Sequence, residues 1–334
     1  MNFIEFEQQA TKFLVHLRKE MDEAKVSLAS HWNIDHICYR VETLDQYLKM
    51  KVKFADFGEL LIESEVNGRP ISTFKLNSPI YFEDRSIDLV ELPAPKQGKK
   101  VQRGFEHIEV VVDIPFADIQ SLYPKCTFNT AGLKKFFNKE LELCFENNAI
   151  KFHHQSLESV INLESNSEVF NSIEGSKVLE LLDPFGPLVA GTFPLKIFSS
   201  ESDVDILLCS DNLRELSSKV EDHFSELEGF KTQIKEDGKA EYLLATFNYS
   251  GVHFELFGQR IPTVSQRAYR HFQLEERLLK LGGEKLRKQV ISSRSQGVKT
   301  EPAFAQALNL SGDPYQVLLD IHKSSDSELS ELIG

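Results

Sequence analysis

The chain has 334 residues, more than one hydrophobic core usually covers, so two domains are the default expectation. An apolar content of 41% with 27% charged residues is that of a globular protein and excludes a chain disordered throughout. A formal net charge of -13 argues against broad nucleic-acid binding and against docking on an anionic membrane, since a phosphate-neutralising patch would have to coexist with that acidity.

The opening segment, "MNFIEFEQQATKFLVHLRKEMDEA", is an amphipathic helix pattern interrupted by charges. It has neither a signal-peptide core nor a span of about 20 apolar residues, so a soluble cytoplasmic protein is expected, with no membrane partner. Cys38, Cys126, Cys144 and Cys209 lie far apart with no C-x-x-C, which fits reduced thiols and suggests neither a zinc ribbon nor a redox pair.

Next comes a short strand, "IDHICYRV", then a helix, "ETLDQYLKMKVKFADF", then a hairpin, "GELLIESEVNGRPISTFKL", turning at Asn67-Gly68. "SIDLVELPAP" closes the unit as a strand stopped by proline, giving βαβββ. After a basic connector, "KQGKKVQRG", the layout repeats: "FEHIEVVVD" as a strand, a helix near "FADIQSLY", and a late hairpin, "ELELCFENNAIKFHH". Two copies of one supersecondary unit are an internal repeat.

Polar, serine-rich residues 164–178 read as a linker merging into a helix. The boundary is expected near 168–172, with domains at 1–168 and 173–334. Beyond it, "GPLVAGTFPLKIFSSESDVDILLC" is strand-rich, "NLRELSSKVEDHFSEL" is helical, two strands meet at Asp237-Gly238, and "VHFELFGQ" is a further strand. From "TVSQRAYRHFQLEERLLKL" onward the pattern is helical, broken at Gly282-Gly283 and Ser311-Gly312. The fold class is α+β.

Strand alternation puts His36 on one face with Cys38 and Arg40, His107 with Glu109, and His153 with Lys151. Each repeat thus offers one ligand from its first strand and one from its last: His36 with Glu91, and His107 with His153, at separations of 55 (91 − 36) and 46 (153 − 107) residues. A lone strand histidine is usually structural, but this set suits zinc, nickel, iron or manganese with positions open for water or substrate.

Residues 1 to about 165 resemble the YecM family, of the vicinal oxygen chelate (glyoxalase-like) superfamily, through "DHICYRV", "GELLIESEVNGRPISTFKL", "LVELPAP", "GFEHIEVVV" and "IKFHHQSLESV". The resemblance implies two βαβββ modules forming a cupped sheet around a divalent metal that chelates substrate oxygens. Its ligand positions fall on His36, Glu91, His107 and His153. The last is glutamate in many superfamily enzymes, so His153 is a departure. Modules of this kind often pair between chains, so the resemblance leaves a homodimer open beside a monomer. Arg69 and Lys75 are candidate holders of an anionic substrate group, and Glu109 is a candidate base or a group that orients a ligand.

In the second half, Asp203 and Asp205 stand two apart at the mouth of a strand, with carboxylates on one side. Hard cations such as magnesium take such oxygens. Glu255, flanked by Phe254 and Leu256 in an apolar strand, needs exposure or a charged partner, and it is the candidate third acid. Gly191-Thr192, 12 residues before Asp203 (203 − 191), offers close backbone approach and a hydroxyl for phosphate.

This order resembles the polymerase-beta-type nucleotidyltransferase superfamily. "AGTFPLKIFSSESDVDILLC", "HFELFGQRIP" and "QRAYRHFQLEERLL" look more closely like an uncharacterised bacterial family grouped with it. The resemblance implies that Asp203 and Asp205 hold magnesium on the phosphates of an NTP and that Glu255 completes the catalytic site. Two features depart from the superfamily: "TFPLKIFSSES" reads as a strand with a loop where a short helix is usual, and the third acid is glutamate where aspartate is more frequent. Arg267, Arg270 and His271 are candidates to reach triphosphate, with an ion-paired helix face as the plainer account; Lys285, Arg287 and Lys288 read as a solvated face.

Two functions fit. One is a fused enzyme, a transition-metal module joined to a magnesium-dependent nucleotidyltransferase acting on a small molecule. The other is a metal and ligand sensor whose transferase-like half is catalytically silent.

Overall fold

The computed structural model describes every residue except 67, 97, 99, 100 and 239, together with the side chain of Asp237. The chain packs as two units, one of residues 1–112 and 116–157, the other of residues 113–115 and 158–334.

In the first unit, α1 (Phe3–Ala24) starts at a reciprocal cap. The Asn2 side chain accepts from the Glu5 amide at 2.9 Å and the Glu5 carboxylate accepts from the Asn2 amide at 3.1 Å. Phe6, Ala10, Phe13, Leu14, Leu17 and Met21 recur at helical spacing and form its buried face. Phe6 meets the rings of Phe54, Phe57 and Phe105, which fastens the helix to the sheet behind it.

The first βαβββ module is β1 (Ile34–Arg40), α2 (Leu44–Ala55), β2 (Gly58–Val66), β3 (Arg69–Phe82) and β4 (Arg85–Pro93). The second is β5 (Gly104–Val111), α3 (Phe116–Leu122), β6 (Thr127–Asn129), β7 (Glu140–Cys144) and β8 (Ala149–His153). All eight strands join one sheet in the order β2-β3-β4-β1-β5-β8-β7-β6. Each module therefore runs first-fourth-third-second, and the two first strands meet antiparallel at the centre. Val66 pairs with Arg69 around Gly68, whose φ of 73° suits the hairpin turn; Asn67, expected beside it, lies outside the described residues. Ile37 and Tyr39 are buried on the helix side, Tyr39 edge-on to Phe54 and Phe105. The alternate face of β1 is left for the polar residues described below.

The serine-rich segment read as a linker is helical: α4 (Leu157–Ser165), α5 (Ser167–Ser176) and α6 (Val178–Leu181) follow one another. Asn166 caps α5 by accepting from the Val169 amide.

The second unit carries β9 (Leu188–Ala190), β10 (Val204–Cys209), α7 (Leu213–Phe224), β11 (Lys231–Asp237), β12 (Ala240–Tyr249) and β13 (Val252–Gln259). Then come α8 (Arg267–Arg294), broken where Gly283 takes φ 57°, α9 (Thr300–Ala307), α10 (Pro314–Ile321) and α11 (Asp326–Ile333). Its sheet runs β11-β12-β13-β10-β9, with β10 parallel to β13. The strand expected through "TFPLKIF" is instead a turn. The Ile197 amide bonds the Thr192 carbonyl and the Lys196 amide bonds that of Phe193, both at 3.1 Å, and Lys196 takes φ 53°. Pro194 has no amide to give a ladder. Among the described residues no helix is long and apolar enough to cross a membrane. Both units mix helices with largely antiparallel sheets, an α+β fold.

Candidate functional site

The centre of the first sheet brings polar residues onto one face. His36 pairs with Glu109 and Cys38 with His107 across β1 and β5, while Glu109 pairs with Lys151 and Val111 with His153 across β5 and β8. Strand alternation then turns all three histidines and Glu109 to the same side. They are buried, at 2% exposure for His36, 1% for His107 and His153, and 8% for Glu109.

Glu109 is the hub. Its Oε1 stands 3.1 Å from His107 Nε2 and 3.4 Å from His36 Nε2, and its Oε2 stands 3.7 Å from His153 Nε2. Lys151 Nζ donates to Oε1 at 3.1 Å. Each imidazole is held from behind through Nδ1: His36 by the Asp35 carboxylate at 2.8 Å, His107 by Glu106 at 3.1 Å, and His153 by the Gln155 carbonyl. Such outer partners fix ring orientation and tautomer in metal-binding histidines.

Asp35 reaches the same side as His36 because the ladder bulges there. Ile34 pairs with Val110 and His36 with Glu109, leaving Asp35 as the extra residue. Its Oδ2 also accepts from the Leu157 amide at 2.9 Å and lies 3.5 Å from His153 Nε2.

At His36, His107 and Glu109 burial opposes charge, and mutual attraction outweighs it. Against desolvation, Glu109 and Asp35 raise His36 well above the usual imidazole range. Against burial and Lys151, Cys38 and Glu106 raise His107 to about 10. Against burial, Lys151 and the histidines hold Glu109 well below the usual carboxylate range. The Nε2 atoms of His36 and His153 are nonetheless buried without a hydrogen-bond partner among the described residues. Orphaned ring nitrogens beside a carboxylate are donors suited to a divalent cation, which would displace the ring protons. Ligand atoms of Asp35, His36 and His153 lie within 4.8 Å of one another, as do those of Cys38, Glu106 and His107.

Neither Glu91 nor Glu109 is in these groups, and His107 falls in a different one from His36 and His153. The repeat is out of step by one pleat. Glu91 pairs with Cys38, two residues past His36, whereas His153 pairs with Val111, four residues past His107. Glu91 accordingly lies among cations, where its charge acts on Arg40, Arg69 and Lys151. Lys75 faces Asp88, with Nζ 3.9 Å from Oδ2.

In the second unit, parallel pairing sets Asp205 beside Glu255, and ligand atoms of Asp203, Asp205 and Glu255 lie within 4.8 Å of one another. Burial, then Asp203 and Glu255, push Asp205 well above its ordinary value, and burial with Asp203 raises Glu255. Crowded acids of this kind are relieved by a hard cation. Gly191 makes room for them: at φ 77°, a Cβ there would lie 1.8 Å from Asp205 Oδ2.

Of the other groups expected to meet phosphate, Thr192, His271 and Arg267 have protein partners, whereas Arg270 Nε is buried with none among the described residues. Thr192 Oγ1 donates to Ser202 Oγ at 3.0 Å, which braces the loop before Asp203. His271 Nε2 bonds the Tyr315 carbonyl at 2.9 Å, with Nδ1 3.4 Å from Glu301; Arg267 donates to Gln316 at 3.4 Å. These contacts tie α8 to α9 and α10. Arg287 is no solvated face, because its guanidinium donates to the Leu195 carbonyl, and Arg294 holds that of Ile197 at 2.9 Å. Together they pin the turn between Gly191 and Asp203. Glu275 on α8 is buried with Oε1 unpaired among the described residues, and burial, Glu301 and Asp205 raise it well above its ordinary value.

Sequence reasoning missed Asp35, because a bulge breaks the alternation on which it relied, and it gave Glu109 a supporting part. The signal for Glu109 was its shared face with His107.

Residues 3–164 match the family described as YecM protein, and residues 171–321 match a domain of unknown function, DUF4269. An uncharacterized protein of Haemophilus influenzae is 36% identical over 107 residues, 32% of this chain and 53% of that protein, so the chain spans about half the length of that relative. Protein YecM of Escherichia coli is 30% identical over 148 residues, 40% of this chain and 79% of that protein. A solved structure of the Cid1 poly(U) polymerase bound to MgATP is 14% identical, covering 46% of this chain and 48% of its own, with a TM-score of 0.31.

Proposed function

The chain belongs to the YecM family through its first unit, and from that premise we propose that it is a two-module metalloprotein whose first module binds a divalent transition metal in the cup. His36, His107 and His153 would supply Nε2 and Glu109 a carboxylate oxygen. The observation that carries this reading is the convergence of three Nε2 atoms within 3.7 Å of one buried carboxylate, with every Nδ1 already fixed. Three imidazoles and one carboxylate suit zinc, nickel, iron or manganese. When bound, such an ion would polarise substrate oxygens as a Lewis acid. The chain's own residues orient the imidazoles through Asp35, Glu106 and Gln155, and Lys151 balances the charge of Glu109.

The second module, in the same reading, holds magnesium through Asp203, Asp205 and Glu255, with Gly191 giving the carboxylates room. An NTP whose phosphates meet that cation would make it a nucleotidyltransferase acting on a small molecule. One observation favours the sensor reading: Thr192, His271 and Arg267 are each bonded within the protein, which leaves fewer donors for a triphosphate. A cytoplasmic location and pairing of the first module between chains complete the proposal.

Elemental analysis of the purified chain tests the first centre. About one transition metal per chain should be present and should vanish when His36 and His107 become alanine; an unchanged trace content would sink the assignment. For the second, a thermal-shift panel of NTPs with magnesium should stabilise the wild type and not Asp203→Asn. Stabilisation by magnesium alone, with no nucleotide effect, would support the sensor reading.

A further inference from the structure

Beside the imidazole cluster, the same face of the sheet opens into a cavity of about 140 Å³ lined by Arg40, Arg69, Lys96 and Glu106, with Pro93 and Pro95 as walls. It is open to solvent on one side and has room for a carboxylate or phosphate group. Three cations face one carboxylate there, on a chain whose net charge is -13.

The donors are only partly used. Arg69 gives Nη1 to the Ala94 carbonyl at 2.6 Å, while its Nε is buried with no acceptor among the described residues. Arg40 gives Nε to Glu106 at 2.5 Å. A buried guanidinium donor without an acceptor is costly, and a forked guanidinium matches the oxygens of a carboxylate or phosphate.

Position links this cavity to the cluster. Arg40 lies two residues beyond Cys38 on β1, and Cys38 is the register partner of His107, so the cavity begins about 7 Å along the strand from the imidazole. Glu106 bridges the two, accepting from Arg40 on one side and bonding His107 Nδ1 on the other.

Resting on the metal-centre reading above, we propose that Arg40 and Arg69 form an oxyanion pocket, which holds the carboxylate or phosphate of a small anionic substrate whose other end reaches His36, His107 and His153. The substrate class is then a short organic acid or phosphate ester.

Calorimetric titration of the metal-free, magnesium-free full chain with inorganic phosphate and with succinate, at constant ionic strength and against chloride, tests the pocket without the metal. One anion should bind, and Arg69→Met should weaken it at least tenfold; Arg69→Lys, which keeps the charge and loses the fork, should fall between and serves if the methionine variant does not fold. Tighter binding of phosphate assigns an ester, and tighter binding of succinate an organic acid. Binding no stronger than chloride, or equal affinity in wild type and both variants, overturns the pocket. Wild-type metal content in Arg69→Met, with weakened anion binding, supports a pocket separate from the metal ligands. Anion binding in a protein that never takes up a metal would strike the metal reading and leave the pocket standing.

Discussion

His36 and Glu109 are register partners across the two central strands, and Nε2 of one stands 3.4 Å from Oε1 of the other. That pairing joins the two repeats at their first strands. In the proposed metal centre the fourth ligand would therefore come from the strand that carries His107, where one carboxylate reaches an imidazole from β1, one from β5 and one from β8.

Substitution separates the two glutamates. Glu109→Gln should lower transition-metal affinity at least tenfold, because it removes the anionic ligand and leaves Lys151 only the more distant Glu140 carboxylate, 3.9 Å away. Glu91→Gln, at a site outside the imidazole group, should leave affinity within about twofold. Metal retained against a graded chelator, counted by elemental analysis, checks both. Loss in the Glu91 variant alone would move the ligand to β4.

Asp35→Asn probes the orienting shell. The amide keeps the size of the bulged side chain and loses the charge that fixes His36 Nδ1, so metal affinity should fall about 10–100-fold. The same competition assay reads this out, and wild-type affinity would remove Asp35 from the centre.

The repeat was legible in the sequence because each module restates a strand, a helix and a hairpin, and alternation alone put His36, Cys38 and Arg40 on one face. The ligand set was less legible. Treating Glu91 and His153 as equivalent positions of the repeat assumed that both modules share one register, and the β1–β4 and β5–β8 ladders differ by two residues, which no single strand reveals. The bulge at Asp35 is likewise a property of the pairing. In the second unit the two aspartates and Glu255 could be grouped because a parallel neighbour sets Glu255 beside Asp205. "TFPLKIF" misled through its apolar spacing, since those side chains are buried from a turn that Arg287 and Arg294 hold.

Gly191→Ala tests the room around Asp205. A residue with a Cβ at φ 77° costs about 1–2 kcal/mol in the backbone alone, and this Cβ would meet Asp205 Oδ2 at 1.8 Å. The variant should melt several degrees lower and lose magnesium-dependent stabilisation. Thermal melts with and without magnesium measure both, and an unaltered melt in each condition would refute the requirement for glycine.

Glu275 sets a pH dependence of stability. Its carboxyl on α8 is buried near Glu301 of α9 and Asp205 of β10, with Arg294 of its own helix as the countering charge, and its folded-state pKa lies well above the ordinary 4.5. A raised carboxyl pKa means that the folded state binds the proton more tightly than the unfolded one. Ionisation then costs stability, by nothing below the unfolded value and by an amount that grows as pH rises toward the folded one. Glu275→Gln removes that cost and keeps the shape. The variant should equal the wild type in denaturant midpoint near pH 4 and exceed it near pH 7, with the gap opening between. A gap of constant size across that range, or one that closes as pH rises, would mean that the buried carboxyl carries its charge without penalty.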